Sequence, residues 1–386
     1  MMQYSNAARV FPPSGIRKMF EKAVLYDDAI NLSVGEPGFI TPKHIIQVGV
    51  DNLLKGKTKY TSNAGILPLR EALAEKLQND NGIKCDPLKN IIVTAGATQA
   101  LMLALLTLVD PGEEVIIPTP AWPNYLGEVL MAGAIPVRAL VTEDNEFKMT
   151  AEIIEPLITD KTKLIMLNSP ANPTGAVLNG EEMGKIADMV RRRKVFVISD
   201  EPYERLIYDG VKHVSLGSFP GMEDYVVTVN SFSKTYAMTG WRVGYACANA
   251  DIMANMIKLH ENMLSCVNEA FQFAAIRALK EGESDVEYMR ECYDKNRKLV
   301  VERLNHIKGI TCQMPAGAFY AFPNIKQLGG NSFDVANMIL EKTHVVTSPG
   351  AAFGSDGEGY LRLSYANDYE SLEKAMDRIE SALGSK

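Results

Sequence analysis

Seven short runs of β-branched and other apolar residues punctuate the middle of the chain, and they constrain the fold more than any other feature. They lie at 91–95, 114–118, 135–141, 164–168, 195–199, 225–230 and 243–248, and several are apolar without interruption. A strand with one wet face alternates apolar and polar residues, whereas a strand covered on both faces is apolar throughout. Helical periodicity fills several of the gaps, at 98–108, 122–132, 180–192 and 251–262. Strands alternating with helices predict an α/β fold, a seven-stranded mostly parallel sheet covered by helices. The segment between the sixth and seventh runs is too short for a clear helical crossover, so the seventh is expected to run antiparallel.

After residue 281 the pattern changes. A long charged helix is predicted at 284–306, followed by short strands at 311–314, 318–322, 344–347 and 360–364 and a final amphipathic helix at 368–383. Short strands grouped with helices suit a smaller α+β domain. The first 40 residues hold one short helix, at 15–26, and are too few to fold alone. The expected division is an amino-terminal arm at 1–40 that joins the small domain, a large cofactor-binding domain at 41–283, and a small domain at 284–386. Two domains suit a chain of 386 residues.

The net charge of −7 argues against a nucleic-acid or anionic-membrane partner, while leaving room for a local basic pocket. Five scattered cysteines without a Cys-x-x-Cys pair fit reduced thiols and a cytoplasmic protein. Five scattered histidines give no zinc signature, and no metal is expected. The start of the chain lacks an apolar signal-peptide core, and the longest apolar stretch, near 101–109, is far short of a membrane span.

In a parallel sheet, ligands gather beyond the carboxyl ends of the strands. Unusual residues fall there. Lys234 follows the sixth run, flanked by hydroxyls, with Arg242 eight residues on. Where water is scarce an ammonium is disfavoured, and the free amine becomes a nucleophile toward an aldehyde. Ser231 and Arg242 suit a phosphate. An amine nucleophile beside a phosphate site suggests pyridoxal phosphate, although lysines near helix starts are commonly just solvated. Gly96-Ala97-Thr98 opens a helix and offers N–H groups to an anion, or is a plain turn. Two prolines hold Asn172 rigidly in Ser169-Pro170-Ala171-Asn172-Pro173, where the Asn172–Pro173 bond is a candidate cis peptide; an ordinary proline turn is the alternative. Asp200 closes a buried strand and needs a cation or good hydrogen bonds; a pyridinium nitrogen would serve, as would a role as helix cap. Tyr203 is within reach of a ring hydroxyl. Trp122 could stack on a planar cofactor or pack in the core. Arg362, in an apolar run, could grip a carboxylate or form an internal salt bridge.

Together these segments, 232–245, 168–175, 198–203 and 120–125, resemble the motifs of the class I aminotransferases of the fold-type-I pyridoxal-phosphate family. The resemblance covers nearly the whole chain and includes Val34-Gly35-Glu36-Pro37, Thr58-Lys59-Tyr60, Pro315-Ala316-Gly317-Ala318-Phe319-Tyr320 and Pro349-Gly350-Ala351-Ala352-Phe353-Gly354. The bacterial and archaeal branch with aspartate, aromatic and alanine enzymes is the most similar. The resemblance implies that Lys234 holds the cofactor aldehyde, Asp200 faces the pyridine nitrogen, Asn172 and Tyr203 bond the ring oxygen, and Trp122 stacks on the ring. It implies that Ser231, Arg242 and the N–H groups of Ala97 and Thr98 bind the phosphate, with Tyr60 reaching the phosphate of a partner subunit in a homodimer with shared sites. Arg362, Asn172 and the backbone of Gly35 would hold the substrate's α-carboxylate. The implied reaction moves an amino group between an L-amino acid and a 2-oxo acid.

Thr98 stands where some aspartate enzymes of this branch carry lysine, and 264–270 offers no arginine for a second carboxylate, while Trp122 resembles the aspartate enzymes, so the substrate stays open among aspartate, aromatic and alanine types with the aspartate type favoured. A mobile lid at 14–17, with Arg17 as a contact, is also expected. A β-lyase or decarboxylase using the same cofactor is the nearest alternative. A nicotinamide-dependent dehydrogenase would need Gly-x-Gly-x-x-Gly after the first run, where only Gly96 stands, and Gly56-Lys57-Thr58 lacks the earlier glycine of a phosphate loop. A non-catalytic binding protein would be favoured by loss of the lysine or aspartate, and both are present.

Overall fold

A computed structural model describes residues 8, 9 and 15–384. Ser14, where the expected lid begins, lies outside them. The central sheet comprises β2 (Ile91–Thr94), β3 (Glu114–Thr119), β4 (Ile135–Leu140), β5 (Thr162–Asn168), β6 (Phe196–Asp200), β7 (Val226–Ser231) and β8 (Gly244–Cys247), in the order β2-β8-β7-β6-β5-β3-β4. β8 alone is antiparallel, to both β2 and β7; the other pairings are parallel. The seven apolar runs are thus the seven strands, and the seventh is reversed as its short connection requires.

The unbroken apolar character of the runs has a direct cause. On β5, Leu164 and Met166 pack with Leu101, Leu105 and Met253 from helices Gly96–Leu108 and Ala250–Met263. The intervening Ile165 and Leu167 pack on the opposite face with Met183, Ile186 and Val190 of helix Gly180–Arg193. Both pleat directions meet helices, so apolar residues are favoured on each. A further cluster joins Ile91 and Val93 to helices Leu67–Asn81 and Glu269–Glu281.

The remaining strands are short. β1 (Ile30–Asn31) pairs in parallel with β10 (Val345–Val346), while β11 (Ser348–Pro349), β12 (Leu361–Ser364) and β9 (Tyr320–Ala321) form an antiparallel sheet. Of the run 344–347 expected as a strand, only Val345–Val346 forms one, and β11 begins just beyond it in the other sheet. The strand expected at 311–314 reduces to one bridge, Thr311 to Asn324. Its backbone is satisfied otherwise: the Asn305 side chain accepts from the Cys312 N–H and donates to the Cys312 carbonyl, both at 2.9 Å. Helices Lys43–Leu54, Leu67–Asn81, Glu269–Glu281 and Ser332–Thr343 were not expected. Among the described residues no helix is long and apolar enough to cross a membrane.

Candidate active site

A cavity of about 370 Å³ opens beyond the carboxyl ends of β5, β6 and β7, and its wall includes Lys234, Asp200, Asn172, Tyr203, Arg242 and Arg362. Gly35, Ala97, Thr98, Trp122 and Ser231 also line it. Of the contacts singled out in the sequence, Tyr60 and Arg17 stay outside this wall, and Tyr60 is 88% exposed. The Asn172–Pro173 peptide is cis, as are Thr119–Pro120 and Ser169–Pro170.

Lys234 projects from the single helical turn Phe232–Thr235 that follows β7. Its Nζ donates to the Gly35 carbonyl at 2.5 Å and keeps some surface open to the cavity. Desolvation, with the charges of Arg362 and Arg242 adding to it, lowers its pKa from the ordinary lysine value to about 8. Asp200 is the last residue of β6 and is 4% exposed. Its Oδ2 accepts from the Tyr125 hydroxyl at 2.5 Å, and its Oδ1 has no hydrogen-bond partner among the described residues. Burial raises its pKa to about 7. A buried carboxylate with one free oxygen is costly unless a donor meets it.

Arg362 is buried on β12. It donates to Asn172 Oδ1 at 3.0 Å and to the Ser33 carbonyl at 2.5 Å, while Nε has no partner among the described residues. Its guanidinium lies between the rings of Tyr320, at 4.4 Å, and Phe353, at 4.7 Å. No carboxylate pairs with it among the described residues, so the internal salt bridge is not what holds it. Burial lowers its pKa.

At the opposite end of the cavity, helix Gly96–Leu108 begins without a side-chain cap, leaving its first N–H groups for an anion. Arg242, in the left-handed region at φ 54°, folds over this turn. A Cβ at Gly96 would stand 2.3 Å from its Nη2. Only glycine leaves that guanidinium its place.

Sequence reasoning passed over Tyr125 and Tyr320, because an aromatic in an apolar run reads as core. It also passed over a polar network behind the site. Glu201, next to Asp200, accepts from Ser199 at 2.7 Å and Ser215 at 2.6 Å and meets His213 at 2.9 Å. Glu204 pairs with Lys76 and accepts from Asn81 at 2.7 Å. Glu201, Glu204 and His213 bring ligand atoms within 4.8 Å of one another. Their partners are Lys76, Asn81 and serines, which ties the turn carrying Asp200 and Tyr203 to helix Leu67–Asn81. Burial opposes a charge on His213, but Glu201 and Glu204 outweigh it and hold the imidazole above its usual range.

A second cavity adjoins Trp122 and is lined by Arg17, Lys18, Phe20 and Arg138 among others. Arg17 thus lies beside the site rather than in it.

Comparison with known proteins gives a consistent result. The family profile described as "Aminotransferase class I and II" matches residues 27–379. An aspartate aminotransferase of Pyrococcus abyssi is 45% identical over 100% of this chain and 99% of its own. An aromatic-amino-acid aminotransferase of Thermococcus litoralis is 42% identical, again over 100% and 99%. The structure of an aspartate aminotransferase from Thermus thermophilus with maleate superposes with a TM-score of 0.94 at 35% identity, covering 99% of this chain and 100% of that one. On a profile spanning most of its length and on relatives matched from end to end, the chain belongs to the class I and II aminotransferase family.

Proposed function

We propose that this aminotransferase binds pyridoxal phosphate in the cavity at the carboxyl ends of β5, β6 and β7 and transfers an amino group from an L-amino acid, with aspartate-type substrates favoured over aromatic amino acids and alanine, to a 2-oxo acid. Class I aminotransferases use pyridoxal phosphate, act on amino and oxo acids and are typically dimeric. One observation carries the reading: a single cavity holds a desolvated amine, a buried carboxylate with one oxygen unpaired among the described residues, and a buried arginine with no carboxylate partner among them. Each lacks the group that the cofactor or substrate would bring.

The residues fit that group. Asp200 Oδ1 would accept from a protonated ring nitrogen. Asn172 and Tyr203 would meet the ring oxygen, and Trp122 the ring face. Ser231, Arg242 and the N–H groups of Ala97 and Thr98 would hold the phosphate. Pyridoxal phosphate, when bound, supplies an aldehyde for the amine and an electron-withdrawing ring.

The chain supplies the rest. Arg362 and Asn172, with the backbone at Gly35, fix the α-carboxylate and so orient Cα toward Lys234. With its pKa near 8, Lys234 Nζ, once free, takes the proton from Cα and returns one, a transfer that an ordinary lysine performs poorly at neutral pH. Asp200 keeps its counter-charge fixed behind the ring. Two half-reactions sharing one site give ping-pong kinetics.

The aspartate preference rests on the Pyrococcus and Thermus relatives; the Thermococcus relative keeps the aromatic option alive. The same proposal includes a homodimer, to which the exposed Tyr60 would contribute. It also includes the division at 1–40, 41–283 and 284–386, supported by the pairing of β1 with β10, and a cytoplasmic location. Borohydride reduction of the cofactor-loaded protein, followed by peptide mass analysis, should place the cofactor on the peptide containing Lys234, and a panel of amino acids should change the visible spectrum. An unlabelled Lys234 peptide would refute the assignment. Release of pyruvate and ammonia would favour a β-lyase.

A further inference from the structure

Tyr320 has no assigned part in this site, yet it touches three components of it. It sits on β9, 1% exposed, with its ring under the Arg362 guanidinium at 4.4 Å. Its hydroxyl is 2.8 Å from that of Tyr203. A Cβ at Gly35 would stand 2.2 Å from the same hydroxyl, so the segment whose carbonyl receives Lys234 runs against it. The pairing of Tyr320 with Ser364 ties β9 to β12, which carries Arg362.

We propose that Tyr320 is a positioning residue that couples the two halves of the site: its hydroxyl donates to Tyr203, committing the Tyr203 proton to the cofactor, and its ring backs Arg362 against the substrate carboxylate. This rests on the proposed cofactor assignment. The direction follows from proton count. Each phenol has one proton. If Tyr203 donates to the ring oxygen it can only accept from Tyr320, and a phenol that accepts is the stronger donor. Glycine at 35 is part of the same device, since any side chain there would displace the Tyr320 hydroxyl.

The coupling has a spectroscopic signature. Tyr203 as donor draws negative charge from the ring oxygen, and that charge favours protonation of the nitrogen Lys234 contributes. Losing the Tyr320 hydroxyl weakens Tyr203 as a donor, so the proton is held more tightly. The other titratable and charged groups facing these phenols are Asp200 on β6, Arg362 on β12, Tyr125 and Tyr293, while Lys234 in turn faces Arg362, Glu36, Arg242 and Asp200. All of them are unchanged in the variants.

The test is a pH titration of the bound cofactor's visible absorbance in wild type and Tyr320→Phe, with maleate affinity measured by equilibrium titration. In Tyr320→Phe the midpoint should rise by about half a pH unit or more, while maleate binds within about twofold of wild type because the ring remains. In Tyr320→Leu, maleate binding should weaken roughly five- to thirty-fold as the guanidinium loses its aromatic support. A Tyr320→Phe midpoint within about 0.2 unit of wild type overturns the hydroxyl coupling and leaves the cofactor assignment standing. Unchanged maleate affinity in Tyr320→Leu overturns the support of Arg362. A wild-type protein that shows no cofactor band removes the functional reading itself, and the inference with it.

Discussion

Glu128 offers a sharp test of the electrostatics behind the site. It lies on helix Pro123–Met131, one turn after Tyr125, and is 2% exposed. Neither carboxyl oxygen has a hydrogen-bond partner among the described residues. Burial first, and the nearby Asp200 second, push its pKa well above the ordinary carboxylate range. The side chain is therefore a neutral acid inside the fold. Two terms follow. A buried polar group left unsatisfied costs ~1–3 kcal/mol. The proton adds a pH-dependent term, because the unfolded chain releases it above pH ~4.3 while the folded chain keeps it. The sign is that of a raised pKa: the contribution is most favourable below the unfolded value and declines as pH rises, by up to about 1.4 kcal/mol per unit for one proton.

Glu128→Met, which conserves volume, should stabilise the cofactor-free protein by about 1–3 kcal/mol near pH 4, with the gap widening toward pH 7. Asp200, raised to about 7 by burial, contributes the same slope in both proteins, so the variant should lose only the one proton's worth of pH dependence that Glu128 supplies. Glu128→Gln should flatten the profile while keeping much of the orphan penalty. Urea unfolding at pH 5, 6 and 7, at fixed protein concentration, measures all three proteins. A gap between wild type and Glu128→Met that does not change with pH, or a Glu128→Met protein that unfolds earlier at pH 7, would refute a neutral, unpartnered acid at this position.

The proposed phosphate end and carboxylate end can be probed separately. Gly96→Ala should lower cofactor affinity at least about tenfold, through strain at φ 74° and the clash with Arg242, as read by fluorescence titration. Gly112→Ala, at φ 91° with nothing within 4 Å, controls for strain alone; equal behaviour of the two variants would refute the clash. Arg362→Met should weaken maleate binding by ~3 kcal/mol, about two orders of magnitude, leaving cofactor binding intact. A loss of less than about threefold would remove Arg362 from the carboxylate site.

The central sheet was legible because its strands are buried on both faces, and composition alone reports that. The site was legible where chemistry conflicts with position: a lysine, an aspartate and an arginine at or near the ends of apolar runs. What escaped had a different physical origin. Helix Leu67–Asn81 buries Arg70 and Asn81 beside its leucines, and both reach to distant chain, Arg70 Nη1 donating to the Pro87 carbonyl and Asn81 Nδ2 to Glu204 and Ser215. A periodicity reading cannot see such partners. The strand expected at 311–314 failed for the same reason, since Asn305 takes the hydrogen bonds a neighbouring strand would have made. Tyr125 and Tyr320 look like core in sequence, and only their hydroxyl partners distinguish them.

The reversal of β8 does more than complete the sheet. A parallel strand would have entered from the far rim, and whatever preceded it would lie a strand's length from the cavity. Entering from the near rim, β8 brings Arg242 back beside the turn that holds Lys234, and Gly244 passes so close to Gly96 that a Cβ would stand 2.5 Å from its carbonyl carbon. Arg242 and Lys234 are thus two ends of one chain reversal, with a separation set by connectivity. Lengthening that loop would part them even if every side chain were retained.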